Sequence, residues 1–293
     1  MMSRMDSGYE LLDVGDGRRL ERFGALVVDR PARGADAPRR DPGAWAGAIT
    51  YRDGRGWAAA DGNVAPTDAA VVEIGGVRLL TALAAGGQVG AFPEHAGHVA
   101  WVRAAVRGRA DSRSEQPPSV LNLFAYTGLL TLVAAAAGGA VTHVDASRPA
   151  VAWARRNAAA NDLEDRPVRW IVDDALAFVR RETRRERRYD GLVLDPPSYG
   201  HGGEGHARAF RLEQDVERLL DACRAVAAPD AFWLVSTHTI GWDAPRLGAT
   251  VAGSLGIKPD VLTAAPMDIS ARSGARLQLG AAVLFDPLEP QPR

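Results

Sequence analysis

The 293-residue sequence predicts a doubly wound, mostly parallel α/β sheet preceded by a small β-rich region, and three observations carry that expectation. From residue 93 onward, short apolar runs alternate with stretches whose apolar residues recur at helical spacing, the pattern of strands joined by right-handed helical crossovers. Before residue 90 the texture differs: β-like runs are broken by turn dipeptides such as DG, GN and GG at a density that suggests hairpins. The hydrophobic (46%) and charged (24%) fractions are those of an ordinary globular chain, which argues against global disorder.

In chain order, Ala25 to Val28, Ala48 to Tyr51, Ala70 to Ile74 and Val77 to Leu80 are the expected strands of the first region. Arg30 to Gly43, rich in Pro, Arg and Gly, reads as an exposed loop, and Trp45 and Trp57 as parts of a small core. The main domain is expected to span residues 88–293, with residues 1–87 set apart. Its first helix is expected over Pro93 to Val106, with Val99, Val102 and Val106 on one face, and Pro117-Pro118 ends it. Strands are then expected over Ser119 to Phe124, Ala140 to Val144, Val168 to Val172, Gly191 to Leu194 and Ala231 to Ser236. Helices fall between them over Gly128 to Ala137, Pro149 to Ala160, Ala175 to Arg187 and Leu212 to Ala227. Ser147 is the expected N-cap of the second of these, with Pro149 in its first turn. Asp260 to Thr263 and Leu277 to Phe285 read as a closing hairpin at one sheet edge.

Composition excludes several classes of function. A lone Cys223 can form no internal disulfide and no cysteine-based zinc cluster, which fits a reducing cytoplasm. The opening MMSRMDSGYE has no apolar core of a secretory signal. Leu129 to Ala140, the longest apolar stretch, is too short to span a bilayer. The formal net charge of -1 conceals arginine clusters at Arg103, Arg107, Arg109 and Arg113, and at Arg180, Arg181, Arg184, Arg185, Arg187 and Arg188. Guanidinium groups grip phosphates bidentately, but a solvated helix face with Glu182 and Glu186 interleaved is the plainer reading.

In an open doubly wound sheet, ligands bind beyond the carboxyl ends of the strands, so the strand ends are where chemistry is expected. The first ends in LNLFAYTG, which keeps only Gly128 of a dinucleotide fingerprint and is poorly suited to a pyrophosphate. The second ends in VTHVDAS, where Asp145 is placed to accept both hydroxyls of a ribose. The third runs into IVDDA, where Asp173 or Asp174 would accept the exocyclic amine of adenine. Turn and N-cap roles are the ordinary alternatives for isolated acids, yet acids at two successive strand ends favour an adenosine held without its phosphates. The fourth strand ends in LVLDPPSYG. Pro196 and Pro197 stiffen the turn and remove amide hydrogens, leaving Asp195 and the Pro196 carbonyl as acceptors beside the Tyr199 ring. That set suits a planar base to be aligned and stacked.

These motifs together resemble a class I S-adenosylmethionine-dependent methyltransferase with a Rossmann-like fold, in particular the large-subunit ribosomal RNA cytosine and guanine methyltransferases, over roughly residues 88–240. The resemblance implies S-adenosylmethionine as cofactor and RNA as partner. It implies a cofactor loop at Asn122, Phe124, Ala125, Tyr126, Thr127 and Gly128, and a ribose site at Asp145, Ala146 and Ser147. An adenine side is implied at Asp173, Asp174 and Ala175, and a catalytic turn at Asp195, Pro196, Pro197 and Tyr199, with Asp195 also near the cofactor. Upstream, GAFPEHAGHVAWVR resembles the segment carrying an acid, glutamine and arginine trio; Glu94 matches the acid and His95 the glutamine, and the arginine has no counterpart at the next position.

Residues 1–87 depart from the N-terminal RNA-binding domain that such enzymes often carry. Methylation at carbon 5 of a pyrimidine needs a cysteine nucleophile, but after the fifth strand the chain reads VSTHTIGW, and Cys223 shares a helical stripe with Val216, Leu219, Leu220 and Val226. A nitrogen target in RNA, ribosomal RNA in particular, is therefore expected. A small-molecule or protein methyltransferase, or a non-catalytic RNA assembly factor, are the alternatives. His201 and His206 flank GGEG in what reads as a lid rather than a metal site, and no metal is expected. His143 is expected to pack within a strand, His238 to border the substrate, and Trp242 to be buried or to offer a second stacking surface. The oligomeric state is open.

Overall fold

A computed structural model describes residues 8–59, 61, 70–112, 116–199 and 210–289. The chain divides into two compact units, one of Met1–Ala96 with Asp268–Leu279, the other of Gly97–Met267 with Gly280–Arg293. The expected division after residue 87 falls earlier than this one, and the return of 268–279 to the first unit has no signature in the sequence.

In the first unit, strands β1 (Tyr9–Gly15), β2 (Arg18–Phe23), β3 (Leu26–Pro31), β4 (Ile49–Arg52) and β5 (Gly56–Ala58) form one sheet in that order. All neighbours are antiparallel except β3 and β4. β6 (Ala70–Ile74) and β7 (Val77–Thr81) form a separate hairpin. Two small clusters fill this unit: Leu11, Val14, Ala35 and Leu277 in one, and Leu12, Leu20, Trp45 and Ala48 in the other. Charge is buried alongside them. Glu21 accepts from Arg30 Nε at 2.5 Å and from the Tyr9 hydroxyl at 3.1 Å, with Arg19 Nε at 3.2 Å. Asp13 accepts from Trp45 Nε1 at 2.9 Å and from the Asp41 amide at 3.0 Å. Arg30 thus lies inside the fold at the end of a strand, not in the exposed loop its surroundings suggest, because Glu21 across the hairpin compensates its charge.

In the second unit, apart from residues 268–270 and 276–279, β8 (Ser119–Leu123), β9 (Ala140–Asp145), β10 (Val168–Val172), β11 (Tyr189–Leu194), β12 (Ala227–Thr237), β13 (Thr263–Ser270) and β14 (Arg276–Phe285) form the seven-stranded sheet. Its order is β10-β9-β8-β11-β12-β14-β13. β10 to β12 run parallel across the sheet, and β14 is antiparallel to β12. The second strand of the expected edge hairpin is present, but the first is not Asp260 to Thr263: Pro259 starts a 3₁₀ turn over Pro259–Val261, and the strand begins only at Thr263. The crossovers are helices: α1 (Ala96–Ser112) leads into β8, then come α2 (Leu129–Ala136), α3 (Arg148–Ala160), α4 (Ala175–Arg184) and α5 (Leu212–Val226). A further helix, α6 (Ala244–Leu255), was not expected; Asp243 caps it by accepting from the Arg246 amide, and Pro245 sits in its first turn.

Alternate residues of the central strands point to opposite faces. Leu121, Leu123, Leu192, Leu194, Trp233 and Val235 join one core with α4, α5 and α6. Their neighbours face the other way, where Phe232 meets Trp101 of α1 edge-on at 5.7 Å and Asn122 meets Thr131 of α2. Both faces are therefore covered, which is why these strands read as nearly unbroken apolar runs. Arg109, placed in the sequence among solvated arginines, is instead buried on α1 and holds Asp286 through two 2.8 Å hydrogen bonds. Ser147 caps α3 as expected. Among the described residues no helix is long and apolar enough to cross a membrane.

Candidate active site

The sheet order reverses between β8 and β11, so the crevice beyond their carboxyl ends is the natural ligand position in this fold. Four loops meet there. After β8 the chain turns sharply, with Phe124 at φ 55°, Tyr126 at φ 46° and Gly128 at φ 90°. Left-handed backbone at two bulky aromatic residues costs free energy and persists only where neighbours enforce it, often at functional loops. Here the neighbours are identifiable. Asn157 Nδ2 donates to the Thr127 carbonyl at 2.9 Å, and the Ala125 amide donates to the Val144 carbonyl at 3.2 Å. A Cβ on Gly128 would stand 3.1 Å from that of Ala154, so glycine keeps the loop close to α3.

Asp145, at the end of β9, links this loop to the next. One carboxylate oxygen accepts from the Tyr126 amide and the other from the Ser147 amide, both at 2.8 Å. Burial raises its pKa above the ordinary carboxylate value, opposed by those two hydrogen bonds. Each oxygen keeps a second lone pair for an outside donor. Ala146 and Ser147 are exposed on the same turn.

The acids after β10 are more fully engaged than the sequence suggests. Asp174 is the N-cap of α4, accepting from the Ala177 amide at 2.8 Å, and Ala175 behind it is buried. Asp173 accepts from the Asp174 amide and pairs with Arg181. Asn122 differs from expectation as well. Its side chain is buried and donates to Thr131 Oγ1 at 2.9 Å, which in turn meets His143 Nδ1 at 2.9 Å. Asn122 therefore braces the sheet beneath the loop instead of lining the crevice. Burial lowers the pKa of His143 to about 3, so this strand histidine is neutral, as its packing role requires.

After β11 comes the proline turn. Asp195 Oδ1 accepts from Ser236 Oγ at 2.7 Å, and its Oδ2 lies 3.4 Å from His238 Nε2. Pro196 is buried and Pro197 half-buried, while Tyr199 is 74% exposed and so is not the core residue that a merely structural turn would leave there. Ser198 Oγ bonds Thr239 Oγ1 at 2.8 Å, tying the turn to the segment after β12. Tyr199 forms an isolated antiparallel bridge with Arg211. The Phe210 ring packs against Phe124, tilted by 55° with centroids 5.2 Å apart. His201 and His206 lie outside the described residues.

Ser236 is the contact that sequence reasoning missed; its signal was a polar Ser-Thr pair ending an otherwise apolar strand, VSTHT. Trp242 is buried, with its Nε1 donating to Glu213 at 2.5 Å, so it offers no stacking face. Cys223 is fully buried and its thiol is pushed far up by burial, consistent with an inert core residue. Glu94 and His95 are buried on a 3₁₀ turn, Pro93–His95, in the first unit.

No family model matches the chain. A crystal structure of the S-adenosylmethionine-dependent methyltransferase from Agrobacterium tumefaciens superposes with a TM-score of 0.86, at 30% identity over 98% of this chain and 93% of that one. The chain belongs to the S-adenosylmethionine-dependent methyltransferases. Among curated relatives of this methyltransferase, the ribosomal RNA large subunit methyltransferase K/L of Methylococcus capsulatus is 35% identical over 119 residues, 40% of this chain and 16% of the relative. Ribosomal RNA large subunit methyltransferase I of Shewanella frigidimarina is 31% identical over 155 residues, 53% of this chain and 37% of the relative. The chain thus spans well under half the length of these curated relatives.

Proposed function

We propose that this methyltransferase modifies a base nitrogen in RNA, ribosomal RNA in particular, in the cytoplasm. The observation that carries the proposal is the Asp195 carboxylate, fixed by Ser236 and flanked by His238, at the mouth of the sheet beside an exposed Tyr199. When bound, S-adenosylmethionine supplies an electrophilic methyl group on a sulfonium. The donor set suits that cofactor: Asp145 retains acceptor capacity for two hydroxyls, and the loop from Phe124 to Gly128 offers no glycine-rich cradle for a pyrophosphate.

In this reading Asp145 holds the ribose hydroxyls, while Asp173 and Asp174 use their remaining lone pairs toward the adenine amine. The task left to the protein is alignment, since holding two reactants in line removes much of the barrier. Asp195 and the Pro196 carbonyl orient the acceptor nitrogen, and the exposed Tyr199 ring stacks on an extruded base. A nitrogen that must shed a proton has Asp195 as its acceptor, with His238 close enough to share the charge. The absence of a reactive thiol sets carbon-5 chemistry aside, because Cys223 is sealed in the α5 core.

The test is to incubate the purified protein with labelled S-adenosylmethionine and ribosomal RNA. Transfer to RNA is expected, with Asp195→Asn slower by roughly 10²- to 10⁴-fold. Cofactor binding without any label reaching RNA would overturn the choice of substrate.

A further inference from the structure

The second arginine cluster is not one solvated helix face. Arg181 pairs with Asp173 near the cofactor loops, and Arg185 donates to Glu182 at 2.9 Å. Glu182 is itself buried and accepts from the Tyr189 hydroxyl at 2.7 Å. Burial pushes this carboxyl up, but the hydrogen bonds from Tyr189 and Arg185 outweigh it and hold its pKa below the ordinary value. Arg187 and Arg188 go elsewhere. With Arg166 and Arg169 they surround an open cavity of about 430 Å³, floored by the first residues of β8, β9, β10 and β11. No carboxylate is among the residues that line it. All four arginines are exposed. Arg188 is held in place by donating to the Ala225 carbonyl at 2.8 Å, and Arg169 reaches Glu182 at 3.6 Å. Among the described residues, Arg166 and Arg187 have no ion-pair partner.

The cavity therefore gathers guanidinium groups from two loops and one strand at the amino ends of the parallel strands. Asp145, Asp173 and Asp195 lie at the opposite ends of the same strands. Strands of five or six residues separate the two by roughly 17–20 Å. We infer that this arginine-lined cavity is a second RNA contact, gripping backbone phosphates of the nucleic acid at a distance from the reacting base. Planar guanidinium forks match phosphate oxygens bidentately. The open, four-sided setting suits a chain of phosphodiesters better than a single small anion. This inference takes only its partner from the proposed function and needs no methyl transfer.

The measurement is equilibrium binding of a fluorescent RNA hairpin to the full chain, without cofactor, across a salt series. Replacing Arg166 and Arg187 with Gln is expected to lower the slope of log affinity against log salt by about 1.4 to 1.8, because each lost phosphate contact removes about 0.7–0.9. Lysine at both positions should restore most of the slope. Affinity for S-adenosylmethionine should not move, which separates a lost contact from a lost fold. An unchanged slope in the Gln variant, with wild-type RNA binding intact, overturns the inference while leaving the proposed substrate standing. Loss of binding in the variant, with no methylation of RNA by the wild type, supports the inference and defeats the proposed substrate. A third arm titrates inorganic phosphate by calorimetry: tight phosphate binding abolished by the same substitutions, with no effect on RNA, would assign the cavity to a small anion and overturn the RNA contact.

Discussion

The two units bury apolar and charged groups in different proportions, although the larger one also encloses the Arg109–Asp286 pair. The seven-stranded unit packs an apolar sheet between helices, and its deepest strand residues, among them Leu121, Leu192, Phe232 and Leu234, are aliphatic or aromatic. The five-stranded unit has small apolar clusters and buries Asp13, Glu21 and Arg30 beside them. A sheet covered on both faces can rely on area removed from water, whereas a small sheet has less of it and places charged partners inside, where they count only as matched sets.

The widest gap between the two should appear on truncation. Arg30→Ala leaves Glu21 buried with one of its cations gone and is expected to destabilise by about 3–5 kcal/mol. Leu192→Ala in the larger unit, a cavity mutation, should cost about 2–5 kcal/mol. Urea melts of each variant read both effects. The sharper comparison is replacement of Glu21 and Arg30 together by apolar residues of similar size: recovery of most of the loss would mean that the pair's value is compensation of charge. Failure to recover would mean that Arg19 and Tyr9, both left without Glu21 as acceptor, matter as much.

A smaller effect is expected from adding volume to the apolar unit. A Cβ on Gly191 would stand 2.1 Å from the Phe232 ring, so Gly191→Ala should destabilise by about 1–3 kcal/mol. Wild-type stability in that variant would show that the Phe232 ring can move aside.

The gentlest test leaves the sequence intact and lowers the pH. His143 has its pKa depressed to about 3 by burial, so the unfolded chain binds this proton first, and the associated stability declines as pH falls below about 6.5 toward 3. Asp13 lies at about 2: burial pushes it up, but hydrogen bonds including those from Trp45 and the Asp41 amide prevail. Its contribution is lost only between about pH 4 and 2. Amide exchange at a series of pH values should show these two contributions fading in that order, His143 before Asp13. The reverse order would contradict the assignment.

This same contrast decided what was legible in advance. The central parallel strands were visible because both faces are apolar, and the edge strand Val168–Val172, none of whose residues is fully buried, was found to the residue from its short β-branched run. β1 and β2 were not seen, since YELLDVG and RRLERF carry acids and arginines at buried positions and a bulge between Leu11 and Asp13 breaks the alternation. Asp145 and Asp195 were legible from their places after strands, and the structure sets both at the carboxyl ends of the sheet. The inward turn of Asn122, the capping duty of Asp174 and the part played by Ser236 were not, because each depends on a partner distant in sequence or on a rotamer.

The carboxylate of Asp145 is shared between two backbone N–H groups, one 19 residues before it and one two residues after. Any hydroxyl that binds there must compete for the same electron density and so weaken its hold on both. The Tyr126 and Ser147 amides are consequently a matched pair of nuclear magnetic resonance reporters, whose proton signals should move together when the pocket fills, even with a nucleoside that has no methyl to give.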